Sequence, residues 1–310
     1  MHTLSLFLLL LAAPAFAGDE QFNGRWDINP IHEPRHRAWW LEVSGAGTSA
    51  LKGRFVGFPG GNTNDIPQIS ISGGELTFRW DNNNQHQVYR ARLVGDKLEG
   101  TFEAGKQKLQ WIGVRAPALP DKDDGSWHRG KPVKLFDGKS LAGWSAMVEG
   151  QPLGWTVKDG IMGNTPAANN LVSEKKFWNF DLHAEFRVSA ETNSGIGLRG
   201  RYEVQILDDY GKPPNTHGNG ALYSRILPSE NASRPPGEWQ TLDVRLVGRQ
   251  VSITLNGKKI IEKQEIDGLT AMANNPDEGE PGPITLQGDH RAVEFRSLVV
   301  TPLLPRALLE

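Results

Sequence analysis

Residues 193–206, Asn193-Ser194-Gly195-Ile196-Gly197-Leu198-Arg199-Gly200-Arg201-Tyr202-Glu203-Val204-Gln205-Ile206, alternate apolar and polar side chains with a period of two. Successive side chains of a β-strand point to opposite faces. Ile196, Leu198, Tyr202, Val204 and Ile206 therefore fall on one side, and Arg199, Arg201, Glu203 and Gln205 on the other. Read as one strand, the stretch predicts an apolar face in a core and four long polar groups along the opposite face. Such a face is either half-solvated surface or a site. A second stretch repeats the pattern: Phe180, Leu182, Ala184, Phe186 and Val188 alternate with Asp181, His183, Glu185 and Arg187. Two strands, each with acidic and basic groups on one side, favour a site.

Outward from these strands the chain shows no sustained helical periodicity, and short strands separated by turns are predicted nearly throughout. A first group occupies residues 24–28, 39–44, 49–56, 66–72, 75–80, 87–94, 97–103 and 109–115, with turns such as Ser72-Gly73-Gly74 and Gly95-Asp96. So many short strands in one segment suit a small antiparallel barrel or sandwich. Residues 116–131 are rich in proline and charge and read as a linker. A second group then runs over residues 132–304, leaving a tail at 305–310. Within it, Asn256-Gly257 supplies the two positive-φ positions of a type I′ turn and predicts a hairpin. The expected class is all-β: a two-sheet sandwich preceded by a small antiparallel β-barrel.

The chain has 310 residues, enough for two domains, with 34 basic against 36 acidic residues. That near-neutral balance carries no electrostatic footprint for nucleic acid or an anionic membrane. There is no cysteine, which excludes disulfides, lipobox acylation and thiol catalysis. An apolar run at residues 3–13, then Pro14 and Ala15-Phe16-Ala17, reads as a signal peptide over residues 1–17 cleaved after Ala17. The segment ahead of the run lacks Lys and Arg, so this reading rests on the run and the cleavage site. The mature protein, residues 18 onward, is expected to be secreted or periplasmic and free of the membrane.

Leu135-Phe136-Asp137-Gly138-Lys139-Ser140-Leu141-Ala142-Gly143-Trp144 opens the second group. The 193–206 stretch follows, then Gly220-Ala221-Leu222-Tyr223 and Pro236-Gly237-Glu238-Trp239. Gly282-Pro283-Ile284-Thr285-Leu286-Gln287-Gly288-Asp289-His290 and Val293-Glu294-Phe295-Arg296 close it. In this order the motifs resemble the 3-keto-disaccharide hydrolase family over residues 132–304. The resemblance implies a concanavalin-like jelly-roll sandwich that acts on sugars oxidised at C3. In the first group, Phe22-Asn23-Gly24-Arg25-Trp26 and Trp111-Ile112-Gly113 loosely resemble lipocalin-like barrels, over residues 18–115. Such a barrel can hold an apolar ligand, present substrate or pack against its neighbour.

A ketone at C3 acidifies the C2 hydrogen, so cleavage needs a base, a group facing the C3 oxygen and an acid for the leaving oxygen. Glu203 is the expected base, with His290 and Glu185 as further catalytic candidates. Arg199, Arg201, Gln205, His183, His217, Tyr223 and Gln287 are candidates for binding the carbohydrate. The alternatives are an Arg199–Glu203 salt bridge without chemistry, a two-carboxylate glycosidase using Glu185 and Glu203, and a carbohydrate-binding sandwich without turnover. A divalent metal held by some of His183, Glu185, His217 and His290 stays open, although no compact ligand spacing is present. Trp178 is a candidate for stacking on sugar, as is the Trp39-Trp40 pair, for which burial is the competing account. His32, Arg35, His36 and Arg37 read as a solvated loop.

Overall fold

The computed structural model describes residues 18–57, 61–82 and 85–305, and every count below refers to them. The proposed signal peptide at 1–17 lies outside these residues, as does the tail beyond Pro305. The fold is all-β. In chain order the first sheet comprises β1 (Gly24–Pro30), β2 (Trp39–Ser44), β3 (Lys52–Val56), β4 (Asn64–Asp65) and β5 (Gln68–Ser72). β6 (Glu75–Asn82), β7 (Gln85–Val94), β8 (Lys97–Ala104) and β9 (Gln107–Arg115) complete it. Their spatial order is β4-β3-β2-β1-β9-β8-β7-β6-β5. The two edge strands, β4 and β5, are joined by only Ile66 and Pro67, so the sheet must curl until its edges meet. Its interior is filled with aromatic rings: Tyr89 stacks on Phe78 at 4.6 Å, and Phe55, Trp39 and Phe102 close around it at 4.7–5.7 Å. A cavity for an apolar ligand inside the barrel is thereby replaced by packed side chains.

The next strands are β10 (Trp127–Arg129), β11 (Val133–Lys134), β12 (Trp144–Ala146), β13 (Trp155–Lys158) and β14 (Ile161–Asn164). β15 (Leu171–Phe177), β16 (Phe180–Val188), β17 (Asn193–Leu198), β18 (Tyr202–Leu207) and β19 (Trp239–Val247) follow. β20 (Gln250–Leu255), β21 (Lys258–Glu265), β22 (Gly282–Leu286) and β23 (Val293–Pro305) end the described chain. They form a sandwich. One sheet runs β13-β14-β23-β16-β19-β20-β21, with β10 and β11 also on β23; the other runs β12-β15-β22-β17-β18. Burial along β16 alternates perfectly between buried and half-buried residues, as its pattern requires. Asn256 and Gly257 take φ of 52° and 80°, the expected turn between β20 and β21.

Two segments differ from their sequence reading. Residues 193–206 are two strands, not one: Leu198 pairs with Tyr202, and Arg199-Gly200-Arg201 turn between β17 and β18. Arg199 and Gly200 have φ of 55° and 65°, and the Arg201 N–H donates to the Leu198 carbonyl at 3.0 Å. Leu198 and Tyr202 lie four residues apart and face each other across the hairpin on one side of the sheet. The alternation therefore passes through the turn in phase. The 116–131 segment is not a free tether either. Trp127–Arg129 pairs with β23, and Asp121 accepts hydrogen bonds from Trp178 and Asn179, both at 2.8 Å.

The outer faces of β1–β3 dock on the sandwich, placing Ala38, Trp40 and Val56 in its hydrophobic core. Trp40 lies beneath two guanidiniums, Arg225 at 4.1 Å and Arg54 at 5.4 Å from its ring centre. Both arginines bind Asp267, at 2.8 and 2.9 Å. Deeper in the seam, Glu278 accepts from Arg249 and, at 2.5 Å, from the Tyr202 hydroxyl. Burial and the neighbouring Glu278 push the fully buried Asp27 of β1 up to about 9. It is therefore protonated at neutral pH, which spares the seam a second buried carboxylate. Among the described residues no helix is long and apolar enough to cross a membrane.

Candidate active site

β17 and β18 present Gly195, Gly197, Glu203 and Gln205 on the face of the smaller sheet turned away from the sandwich core. A Cβ on Gly195 would lie 2.6 Å from Glu203 Oε1, so the absence of a side chain there is what gives the carboxylate its room. The Glu203 backbone is clamped from both sides: its N–H donates to Thr270 Oγ1 at 2.8 Å, and its carbonyl accepts from Tyr223 N–H at 2.9 Å. The residue is 2% exposed. Burial raises its carboxyl to about 7, opposed by the positive charges of Arg37 and His290 and helped by Asp289.

Glu203 opens into a cavity of about 230 Å³ between sandwich and barrel. The sandwich supplies Asn193, Tyr223, Gln287 and His290 to its wall, and the barrel loop between β1 and β2 supplies Glu33, Arg35 and Arg37. His290 Nδ1 lies 2.8 Å from Asp289 Oδ1, and Arg37 reaches the other Asp289 oxygen at 3.2 Å. The Asp289 hydrogen bond raises the His290 imidazole above its ordinary value despite burial. Burial works to raise Asp289 itself, but the His290 hydrogen bond and the Arg37 charge prevail and hold it low. With Nδ1 engaged, Nε2 is the ring nitrogen left to exchange a proton. Burial, with a smaller push from Glu203, raises the Tyr223 phenol, so it is a neutral hydrogen-bond donor at physiological pH. The turn carrying His290 is fixed by Asn170, whose Oδ1 accepts from Gly288 N–H at 2.7 Å.

Of the residues singled out in the sequence, Glu203, His290, Tyr223 and Gln287 therefore share one cavity. His217 stands at its rim, edge-on to Tyr223 at 4.8 Å, and meets the barrel through Asn62 at 2.9 Å. Gln205 donates to Asn193 at 3.3 Å and so orients a wall residue.

The rest lie elsewhere. Arg199 is consumed by the fold: its guanidinium covers the Trp178 ring at 4.1 Å and Nε donates to the Trp178 carbonyl at 2.6 Å. Arg201 donates to the Glu280 carbonyl at 2.7 Å. Neither meets Glu203, because the turn carries both away from its face; the Arg199–Glu203 salt bridge is absent for the same reason. His183 and Glu185 are on β16, in the other sheet, on its solvent side. His183 binds Asp243 at 2.7 Å, and Glu185 pairs with Arg296. Arg187 pairs with Glu294 at 2.6 Å and stacks on Trp239. The proposed Glu185–Glu203 carboxylate pair is thus split between two sheets. Among the described residues no three His, Cys, Asp or Glu gather as a metal site, so His183, Glu185, His217 and His290 do not form one.

Sequence reasoning missed Glu33, Arg37 and Asp289. Arg37, read as solvated, has a side chain only 13% exposed, because the barrel seats its loop against the sandwich. The partners that bury it are more than 230 residues away in the chain, at Ala271 and Asp289, and no local pattern announces them.

Residues 131–301, more than half of the chain, match the 3-keto-alpha-glucoside-1,2-lyase-like domain. The chain belongs to that family. A 3-keto-disaccharide hydrolase of Bacteroides thetaiotaomicron is 26% identical over 186 residues, which cover 47% of this chain. The chain spans 64% of the length of that relative. Among solved structures, a protein of Parabacteroides distasonis assigned as a glycosyl hydrolase is 28% identical, with a TM-score of 0.48 over 60% of this chain and 92% of its own. A second from the same organism is 22% identical, with a TM-score of 0.46 over 56% and 94%. The family match begins at residue 131, so Glu33 and Arg37 of the barrel lie outside it while Glu203, Asp289 and His290 lie within it.

Proposed function

We propose that this protein cleaves 3-keto-glycosides by removing the C2 proton and eliminating the group at C1, followed by addition of water. The observation that carries the reading is a buried carboxyl, Glu203, held near 7 at the wall of a cavity shared with His290 and Tyr223. A general base works best when its pKa lies near the operating pH. Glu203 takes the C2 proton, and the electron pair moves to the C3 oxygen as an enolate. The neutral Tyr223 hydroxyl, which donates to Asn62 Oδ1 at a long 3.4 Å, is suited to turn and donate to that oxygen instead. As the enolate collapses, the C1–O bond breaks, and protonated His290 gives the leaving oxygen its proton. Water then adds across the C1–C2 double bond, giving net hydrolysis. The small cavity, below the roughly 300–1,000 Å³ of drug-sized sites, suits a single sugar ring.

Export belongs to the same reading and rests on the apolar run at residues 3–13 with the Ala15-Phe16-Ala17 cleavage site. The test uses mature protein recovered from periplasm or medium, expected to begin at Gly18. It is assayed on a 3-keto-glycoside and on the same glycoside unoxidised. Turnover of the keto form alone is expected, slowed when C2 carries deuterium. Equal cleavage of both forms points to an ordinary glycosidase, and binding without turnover to a carbohydrate-binding sandwich. Either result overturns the proposal.

A further inference from the structure

Glu33 sits in the barrel loop between β1 and β2, only 4% exposed, at the wall of the same cavity. Its two carboxylate oxygens have different occupations. Oε2 accepts from the backbone N–H groups of Arg35 and Arg37, at 3.0 and 2.7 Å, and so folds the loop. Oε1 is buried and has no partner among the described residues. Gln287, a wall residue contributed by the sandwich, has a buried Oε1 in the same condition. A buried acceptor without a protein donor costs free energy, and a ligand hydroxyl recovers it.

We infer that the barrel is part of the active site, with Glu33 a substrate-binding residue that accepts a hydroxyl group of the sugar. Gln287 accepts from the opposite module, so a ring seated between barrel and sandwich is read from both sides. The required ligand is a polyhydroxylated ring presenting donors to two acceptors. An aromatic or purely apolar molecule leaves both acceptors unmet. This inference rests on the proposed function for the identity of the ring, but the acceptor role stands on the cavity alone.

Glu33→Gln is the decisive variant. Its carbonyl oxygen can keep the two loop amides while an NH₂ donor replaces the free acceptor. On a 3-keto-glycoside the expected result is a KM raised about 10- to 100-fold with kcat little changed, the signature of lost ground-state binding. Monodeoxy analogues of that glycoside locate the contact. One analogue should bind the native protein about 10-fold or more weakly, and this penalty should vanish in Glu33→Gln. A variant that melts with the native protein yet keeps the native KM and deoxy-analogue profile overturns the inference. If no 3-keto-glycoside is turned over at all, calorimetric binding of methyl glycosides to the native and Glu33→Gln proteins decides it separately: weaker binding by the variant supports the subsite, and equal binding overturns it.

Discussion

Two polar faces of this sandwich look alike as sequence and differ entirely as surface. On β16, Asp181, His183, Glu185 and Arg187 face solvent, and each acidic or basic group is answered by a partner from β19, β23 or the adjoining β10: Arg129, Asp243, Arg296 or Glu294. On β18, Glu203 and Gln205 belong to the other sheet, and the barrel is laid over their neighbourhood. The first face keeps its charges paired and half-hydrated. The second keeps a carboxyl buried, without an ion pair among the described residues and with its proton affinity near neutrality. A run of alternating charges says that a face is polar, while the cover over that face decides whether it is chemistry.

The comparison is tested most severely at the two glutamates. Glu203→Gln should lower turnover by about 10³-fold or more, within or above the range of a general base, and remove the acid limb expected near pH 7 in the native pH–rate profile. The sign follows from the raised carboxyl: the base is competent only once ionised, so activity rises as pH climbs through that value. Retained turnover would remove Glu203 from the mechanism. The same variant should melt higher than the native protein at pH 8 and much less so at pH 4. The native carboxyl is raised above its unfolded value, so it loses stability as pH rises through that window, on the order of 3 kcal/mol in all.

His290→Ala should cost about 10²-fold, the lower end of proton-transfer effects. Arg37→Ala should cost less, about 10-fold, because Arg37 positions Asp289 and His290 instead of reacting. Its signature is the pH profile. Arg37 lowers both Glu203 and His290, so its removal should move both limbs toward higher pH. A loss of rate with unmoved limbs would reduce Arg37 to a packing role. Glu185→Gln is the smallest expected effect: turnover within about twofold and stability within about 1 kcal/mol, as for a partly exposed ion pair. A large loss there would reverse the contrast between the faces.

Much of the architecture was legible because it is local. Strand positions followed the period-two alternation, and Asn256-Gly257 announced its turn through backbone sterics. The β17–β18 turn was hidden by the same alternation, since a three-residue loop preserves parity and the apolar–polar period runs through Arg199-Gly200-Arg201 unbroken. The candidate site was half legible. Glu203, Tyr223, Gln287 and His290 lie within recognisable motifs, whereas Glu33 and Arg37 gain their meaning from contact with a module more than 150 residues away.

The linear chain by itself determined which residues can form strands, which side of each strand is apolar, and the absence of cysteine chemistry. Those properties depend on neighbours two to four residues apart. Only the tertiary structure decided which polar face is dehydrated and which arginine meets which carboxylate. Dehydration and pairing are set by groups brought together across the whole chain, and the proton affinity of Glu203 follows from that surrounding rather than from its place in a motif.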